Sequence, residues 1–562
     1  MPLIGPTHYA MGAASSTPSG CPAAESTNDK SGRIQGVWVT PGDLTLGTPS
    51  GDPIYSQQYQ WTGNQVVASS TCLVDAGSPI VDQYTYDSLT RLVGADGGLG
   101  PTGGDAFGRR TYGYDRRGNR TAETQDGASY TLSYAGNSDQ LTRWRAAPKD
   151  NWLQWNYSYG PDGAVKEMYG PTDSQGNKAD IVFQSGPGGS GSGATDTVYQ
   201  SVSVNGASYG YFYDAKGRRR FEQYPNSLVS SEWFYGPGNQ MIIDAARTEI
   251  VGAVVHAFTE IYDDDYIWLG GRPVAVDRGF HLVAGSIYEN EQVNVIHFLI
   301  SDALGRPVLT MDGERRISGV GQYDPYGQVN RVALDAETAH RYRSFGTIGT
   351  MTQAPTDALA TKMRAKFQMI DMGGANGMCG SNPANTTDRV AIKDVDGNVL
   401  WSATGEQVGP IWSYDVTSDG GAASIVTDYT GCYANSRIPY LRCNCITPPR
   451  NEVAEGVIVE GYEYQRYDPD ALPYWTPLRL PGQYHDEETD LNQNWNRFYN
   501  PEAGGYTHPE PMWLHPKVAL AGVRSGTPWP VYGYANDNGS PHVPVGSRSR
   551  RGLGLTIEEV AL

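Results

Sequence analysis

The chain has 562 residues, 39% hydrophobic and 18% charged, so it can bury a large core and is not a disordered polymer. Its net charge of -19 argues against a nucleic-acid groove, because phosphate binding depends on clustered Lys and Arg. The sequence contains no apolar run of about 18 residues, so it predicts no membrane-spanning helix. The 37 Tyr, 13 Trp and 69 Gly favour short aromatic strands joined by tight turns, and we expect an all-β fold.

Residues 1–75 contain no clear repeat, and we expect them to form a cap, a plug or an interaction arm. No basic segment followed by an apolar stretch marks a secretory signal here. Disulfides in an oxidising compartment are favoured over buried free thiols for the six cysteines, whose spacing does not match a zinc ribbon or finger. The disulfide candidates are Cys21, Cys72, Cys379, Cys432, Cys443 and Cys445.

A repeated unit occupies residues 76–335. A typical copy has aromatic residues at positions i and i+2, then Asp, two spacers, Gly and Arg or a similar residue, as in the segment Y-F-Y-D-A-K-G-R at 211–218. Most successive copies lie about 20 to 28 residues apart, a period typical of repeat architectures. The repeat-defining residues are Tyr86, Asp87, Tyr114, Asp115, Gly118, Tyr159, Tyr213, Asp214, Gly217, Tyr323, Asp324 and Gly327.

The chemistry of this unit predicts a β-hairpin. Aromatic residues two apart point to one face of a strand, where they can stack on the next strand. The Asp can accept hydrogen bonds from the turn, and the Gly can take a positive φ. The following Arg can lie along a neighbouring ring while its guanidinium stays hydrated. A Gly- and Ser-rich stretch at 186–193 predicts a long loop leaving the sheet edge.

These repeats resemble the YD-repeat family, also called rearrangement hotspot (RHS) repeats. Segments similar to other family motifs follow in order: H-F-L-I-S-D-A-L-G-R-P-V at 297–308, Y-D-P-Y-G at 323–327, and L-P-G-Q-Y at 480–484 within a C-terminal core at 475–546. The resemblance implies a long antiparallel sheet that spirals into a hollow β-shell and closes near its C-terminus.

An insertion at 340–470 separates Y-D-P-Y-G from the C-terminal core, where the family has a short connection. Its short alternating runs predict a β-sandwich, and their order resembles a CUB-like jelly roll. Some CUB domains hold Ca²⁺ through three acidic side chains, which would correspond to Asp371, Asp388 and Asp428. The alternative is that these residues are ordinary turn aspartates.

The resemblance also bears on catalysis. Toxin-bearing members cut their own chain with paired aspartates, which here align with Glu510 and Val543. A valine cannot take part in proton transfer, so we expect self-cleavage to be lost and no enzymatic activity. Only about 16 residues follow Gly546, a tail at 547–562 too short for a toxin domain.

These observations lead to a hypothesis of a secreted or surface-exposed scaffold. The YD-repeat shell would carry the insert as an outward contact module and assemble with other chains, or copies of itself, through strand edges. The alternative is a toxin-encapsulating cocoon component separated from its toxin. A carbohydrate-binding or adhesion module is a third hypothesis, based on exposed Trp and Tyr. Calcium is the only cofactor implied, and a glycan is a candidate ligand.

Overall fold

A computed structural model describes twenty-five segments of the chain. They are residues 36–39, 42–43, 48–49, 55–63, 65–73, 80–97, 108–125, 127–136, 138–147, 153–172, 178–187, 197–225, 229–236, 240–251, 256–269, 271–282, 291–302, 304–333, 346–352, 362–371, 389–417, 421–428, 456–494, 497–510 and 531–533. All regular elements in these segments are β-strands, which confirms the predicted all-β fold. No helix in them is long and apolar enough to cross a membrane.

The strands belong to a long meander, a small hairpin, a two-sheet insert and a C-terminal sheet. The first three are β1 (Gly36–Val39), β2 (Gly42–Asp43) and β3 (Thr48–Pro49). The next group is β4 (Tyr55–Thr62), β5 (Gln65–Leu73), β6 (Ile80–Tyr86), β7 (Leu92–Asp96), β8 (Arg109–Tyr114), β9 (Arg120–Gln125), β10 (Ala128–Tyr134), β11 (Leu141–Ala147), β12 (Gln154–Tyr159), β13 (Val165–Thr172), β14 (Lys178–Pro187), β15 (Thr197–Val204), β16 (Ala207–Tyr213), β17 (Arg219–Gln223), β18 (Val229–Tyr235), β19 (Met241–Val251), β20 (His256–Leu269), β21 (Arg272–Leu282), β22 (Glu291–Ser301), β23 (Pro307–Met311) and β24 (Ile317–Val320).

The insert contains β25 (Arg331–Ala333), β26 (Gly346–Thr352), β27 (Met363–Asp371), β28 (Arg389–Lys393), β29 (Val399–Ala403), β30 (Glu406–Trp412), β31 (Ala422–Asp428) and β32 (Gly456–Tyr464). The C-terminal sheet contains β33 (Gln483–Asp486), β34 (Leu491–Asn494), β35 (Arg497–Asn500) and β36 (Gly505–Tyr506).

The meander is a single antiparallel sheet of twenty-two described strands, comprising β1 and β4 to β24. β1 pairs with β4, and from β4 onward each strand pairs with the next one along the chain. Alternation fixes which face is buried: in β12, Trp155 and Tyr157 are buried while their neighbours are partly exposed. One face of the meander therefore carries most of its aromatic side chains.

The sheet is strongly curved, because one C-terminal segment contacts strands that lie far apart in the meander. The ring of Phe498 lies 5.2 Å from Tyr199 in β15, Tyr484 lies 5.4 Å from Trp233 in β18, and Tyr474 stacks 4.6 Å from His297 in β22. The two ends of the meander also share a core, in which β4 to β8 pack with β22 to β24. The meander therefore wraps around the C-terminal core.

The insert has the strand order of a jelly roll. One sheet runs β25-β32-β27-β30 and the other β26-β31-β28-β29, and in insert numbering these orders are 1-8-3-6 and 2-7-4-5. Phe367 of the first sheet stacks 5.4 Å from Trp401 of the second, so the sheets face each other across a shared core. The predicted jelly-roll sandwich is confirmed, and its first strand begins at Arg331, before the expected boundary at 340.

The insert is not simply an outward module. Gln368 of β27 is fully buried and donates a 2.7 Å hydrogen bond to the Gln154 carbonyl of β12. Glu460 of β32 accepts a 2.9 Å hydrogen bond from the Trp155 indole, which lies on the aromatic face of the meander. One sheet of the insert therefore lies against the inner, aromatic face of the curved meander, which we call the wall. The other sheet carries the hairpin that contains the exposed Val395.

The curved antiparallel sheet agrees with the predicted β-shell, and part of its inner face is covered by other parts of the chain. Buried side chains of β10 to β16, the insert and the C-terminal core belong to one continuous hydrophobic cluster. The inner face of the sheet along β10 to β16 is thus covered by the insert and the C-terminal core. The physical reason is that an aromatic face of this size must be buried against something.

Candidate functional site

The repeat turns share one hydrogen-bond pattern. Asp87 Oδ1 accepts from the amides of Leu89 and Arg91, both at 2.9 Å, and its Oδ2 accepts from Arg91 Nε at 2.8 Å. Asp214 makes the same contacts with Lys216 and Arg218. These bonds lower the pKa of Asp87 and Asp214, against the opposing effect of burial. The Asp therefore holds the turn closed from inside the hairpin.

The third residue after each turn Asp has a left-handed backbone conformation. Gly118, Gly217 and Gly327 have φ values of 98°, 79° and 98°, whereas Thr90 occupies the same position with φ 69°. A β-branched residue is strained in this region, so the first of these turns is the least favourable.

The tyrosine that ends the strand before each turn connects its hairpin to the preceding one. Tyr114 donates a 2.6 Å hydrogen bond to the Leu92 carbonyl, and Tyr235 donates at 2.8 Å to the Arg219 carbonyl. Tyr86, Tyr159 and Tyr213 donate in the same way to the carbonyls of Val66, Leu141 and Tyr199. These hydroxyls link successive hairpins along the wall.

The arginines after the turns are less hydrated than predicted. Arg91 lies 4.8 Å from the Tyr114 ring and Arg218 lies 4.6 Å from the Tyr235 ring, each on the next hairpin. Their side chains are 19% and 14% exposed, because each guanidinium also pairs with its own turn Asp. The predicted contact between arginine and ring is present, but each guanidinium is paired with the turn Asp instead of being mainly hydrated.

The Y-D-P-Y-G segment joins the two ends of the wall. Asp324 and Gly327 form the same turn, and the buried Tyr323 forms a bridge to Val329. Tyr326, the second tyrosine of the segment, lies 5.0 Å from the Tyr112 ring and its hydroxyl lies 2.8 Å from that of Tyr114. This segment therefore brings the end of the repeats against their beginning.

The predicted calcium ligands are only partly described. Asp371 is the last residue of β27 and Asp428 is the last residue of β31, in opposite sheets of the jelly roll, and Asp388 lies outside the described residues. Among the side chains described, no group of three or more His, Cys, Asp or Glu is arranged to hold a metal. The calcium site remains a prediction.

Cys72 is buried in β5 and is disulfide-bonded. Cys21, Cys379, Cys432, Cys443 and Cys445 lie outside the described residues. Of the two cleavage positions, Glu510 pairs with Arg497 at 2.8 Å, and Val543 lies outside the described residues. Glu510 is thus held in an ion pair at the end of the C-terminal core.

A cluster of buried charges anchors the C-terminal core to the wall. Arg219 of β17 is fully buried and binds Asp486 of β33 with both Nη atoms, one of them at 3.0 Å. Its guanidinium also lies 4.4 Å from the Trp233 ring. Burial opposes the charge on Arg219, but Asp486 and Glu222 raise its pKa above the ordinary value. Because the pair is bidentate and enclosed, it fixes the position of the core.

A second anchor connects the insert to the C-terminal core. Lys366 of β27 contacts Asp490 at 2.6 Å and Glu460 at 2.8 Å, and Arg331 of β25 pairs with both Asp490 and Glu463. Although burial acts to raise the pKa of Asp490, the charges of Arg331 and Lys366 hold it well below the usual range.

A cavity of about 440 Å³ lies between these anchors. Asp244 of β19 and Asp264 of β20 line it and are direct partners across the two strands. Tyr484 donates to Asp244 Oδ2 at 3.0 Å, and Tyr474 donates to Asp264 Oδ2 at 3.4 Å. Burial, and then the charge of Asp264, raises the pKa of Asp244 to about 7; burial raises that of Asp264 to about 6. Two such carboxyl groups can exchange a proton near neutral pH.

Sequence reasoning missed this cavity. Asp244 lies in an ordinary alternating strand, and Asp264 lies within the run Asp263-Asp-Asp265, which is equally typical of a solvated surface. The one available signal was strand alternation, since Asp264 and Tyr266 must share a face and Tyr266 is buried.

Comparisons with known proteins give limited matches. No family model matches the chain. The toxin protein Tse5 of Pseudomonas aeruginosa is 42% identical over 52 residues, which is 9% of this chain and 4% of that protein. A crystal structure of TcdB2-TccC3-TEV is 11% identical with a TM-score of 0.34, covering 90% of this chain and 20% of that one. A Photorhabdus luminescens Tc holotoxin pore is 12% identical with a TM-score of 0.28, covering 94% and 21%. The chain thus spans at most about a fifth of the length of each of these three proteins.

Proposed function

We propose that this chain is a non-catalytic scaffold of the YD-repeat type that acts in a secreted, toxin-related assembly. The observation that carries the proposal is that the insert and the C-terminal core pack against the inner face of the wall along β10 to β16. The 440 Å³ cavity has the volume of a small-ligand site rather than that of a folded domain. The short match to Tse5 supports the toxin relation. The disulfide at Cys72 supports an oxidising compartment.

The scaffold would bind another chain at the first edge of the meander. The opposite edge is covered, because the carbonyls of Ile317 and Ser318 in β24 accept hydrogen bonds from the amides of Asp468 and Tyr474 at 2.7 and 2.9 Å. At the other end β1 pairs with β4 and with no other described strand, and we propose that its second edge pairs with a strand of another chain.

Light scattering of the purified chain at rising concentration tests this proposal. We expect a dimer or larger assembly, and a monomer at high concentration would contradict it. Two matched variants, Val37→Pro and Trp38→Pro, remove amides that point to opposite sides of β1. The variant that removes an amide on the outer side of β1 should weaken assembly without lowering the melting temperature. The variant that removes an amide bonded to β4 should destabilise the fold. Equal effects of both variants on assembly would also argue against edge pairing.

The second candidate is a cocoon component that encloses a toxin together with a partner chain, a function favoured by the similarity to Tse5. It requires a longer wall than the described residues supply. Mass spectrometry of the product of the complete gene distinguishes the two: a fragment beginning after residue 546 would support the cocoon, and an uncut chain would support the scaffold. The calcium site at Asp371, Asp388 and Asp428 and a glycan ligand remain proposals, which a glycan-binding screen with and without Ca²⁺ would test.

A further inference from the structure

The cavity next to Asp244 and Asp264 contains buried polar atoms without partners. Asp244 and Asp264 are 1% and 2% exposed, and the Oδ1 atom of each accepts no hydrogen bond. Trp233, also 2% exposed, lines the same cavity, and its indole Nε1 donates no hydrogen bond. Leaving such groups unpaired costs about 1 to 3 kcal/mol each, so they mark a place prepared for a ligand.

The charges around the cavity favour a cation. Eight carboxyl groups line it against five arginines. Only one of these arginines approaches the pair, with Arg278 Nη1 3.5 Å from Asp264 Oδ2. The aromatic rings of Trp233, Tyr262 and Tyr484 also line the wall of the cavity and can face a cation. An anionic ligand would meet an excess of negative charge.

The form of the cation follows from the unpaired atoms. The side chains described offer no set of three or more metal ligands, which a hard divalent ion would need. A simple amine would satisfy the two carboxyl oxygens and leave the indole N–H without an acceptor. A basic residue in a peptide supplies both, since its side chain donates and its backbone carbonyl accepts.

We propose that this cavity binds the lysine or arginine side chain of a peptide segment, with Asp244 and Asp264 accepting from the cationic group and Trp233 donating to the peptide carbonyl. The segment would enter beside Pro473 and Glu487, which are exposed at the rim. The site goes beyond the scaffold role and does not depend on edge pairing, because it lies inside the wall.

Calorimetric titration of the whole chain with three capped tripeptides, acetyl-Gly-Lys-Gly-amide, acetyl-Gly-Gln-Gly-amide and acetyl-Gly-Glu-Gly-amide, tests the proposal. We expect binding of the lysine peptide at least about tenfold tighter than that of the glutamine peptide, because the latter lacks the charge. Equal affinities for the lysine and glutamine peptides, or tighter binding of the glutamate peptide, would overturn the proposal. Putrescine has no carbonyl group, so putrescine binding as tightly as the lysine peptide would contradict the proposed hydrogen bond from Trp233 to the peptide carbonyl.

A double variant and its control locate the site. Asp244→Asn with Asp264→Asn should abolish the preference for lysine, whereas Asp277→Asn removes a carboxylate from neighbouring β21, outside the cavity, and should leave it unchanged. Preference retained in a folded double variant would refute the site. If the double variant does not fold, Trp233→Phe serves instead, since it keeps an aromatic ring and removes the N–H donor. This variant should bind the lysine peptide at least about threefold more weakly than the unaltered protein does.

The pH dependence of peptide binding is a further check on the unaltered protein. Binding should tighten at least about tenfold from pH 5.5 to pH 8, as the carboxyl pair loses its protons. The charged and titratable groups facing the pair from the surrounding elements are Arg219, Glu222, Tyr262, Tyr266, Arg278, Tyr474 and Tyr484, while Asp263 and Asp265 adjoin it on the opposite face of β20. A constant affinity across this range would contradict binding to the ionised pair.

Discussion

At the scale of the residue, the tyrosine before each turn has a role that its ring alone does not explain. Tyr235 packs its ring beneath Arg218, and its hydroxyl donates to the Arg219 carbonyl of the preceding hairpin. The hydroxyl thus joins two units that are separate in sequence. Phenylalanine would fill the same space without making this bond, which gives a physical reason for 37 Tyr against 11 Phe.

Replacement of Tyr235 by Phe should therefore lower the free energy of unfolding by about 1 to 2 kcal/mol, since the Arg219 carbonyl loses its donor. Urea denaturation measures the change. Tyr414→Phe is a matched control, because Tyr414 donates a similar bond to the Leu400 carbonyl but is 64% exposed, and it should change stability by less than about 0.5 kcal/mol. Equal losses in the two variants would show that the hydroxyl is not specific to the wall.

At the scale of the element, the hairpin turns that begin with Asp share one hydrogen-bond pattern, which also occurs in the insert. Asp394 accepts from the amides of Asp396 and Asn398 as the repeat aspartates do, with Gly397 at φ 85°. The turn at Asp394–Asn398 therefore forms without the aromatic face of the wall, so its geometry depends on local residues. Its stability depends on the residue that takes the positive φ.

The substitution Thr90→Gly should stabilise the protein by about 0.5 to 1 kcal/mol, because it removes the strain of a β-branched residue at φ 69°. The melting temperature and urea midpoint measure this gain. The reverse change, Gly217→Thr, places the same side chain at φ 79° and should destabilise by about 1 to 2 kcal/mol. A loss of stability on Thr90→Gly would mean that chain entropy outweighs the strain.

At the scale of the whole molecule, the wall, insert and C-terminal core are held together by buried charges as well as by apolar packing. Arg219 joins the wall to the core, and Arg331 and Lys366 join the insert to the core. These groups are enclosed, so removing one member leaves a buried charge that is less well compensated. These pairs specify how the three parts meet.

The variant Asp486→Asn should lower the free energy of unfolding by about 3 to 5 kcal/mol, since Arg219 would remain charged and buried. Urea denaturation measures the loss. Combining Asp486→Leu with Arg219→Met removes both charges and should recover at least about half of it. Failure of the double variant to recover stability would indicate that the ion pair contributes net stabilisation.

Stability should also fall as pH rises from 6.5 to 8.5. Burial raises the pKa of Glu488 to about 7 and that of Glu502 to about 8, with Asp486 and Glu460 adding to the respective shifts. The folded state therefore binds more protons than the unfolded state in this window, and stability decreases through the folded pKa values. Below pH 6.5 the buried His485 and His508, whose pKa values burial lowers to about 4 and about 3, act in the opposite direction.

Melting temperatures across this range test the prediction. Glu502→Gln should flatten the decline between pH 7 and 8.5, because this group no longer has a proton to lose. Glu510→Gln is the control, since Glu510 is 26% exposed and paired with Arg497, and it should leave the slope unchanged. A melting temperature that rises with pH over this interval would contradict the assigned shifts.

The sequence by itself determined the hairpins, because Asp, Gly and the paired aromatics act within a few residues of one another. It also determined the jelly roll of the insert, through alternation and turn spacing. Only the tertiary structure decided what covers the aromatic wall, where Arg219 finds Asp486, and that Asp244 lies opposite Asp264 beside a cavity. These contacts join residues up to hundreds of positions apart, and no local pattern specifies them; they depend on the curvature that many small strand twists accumulate along the sheet.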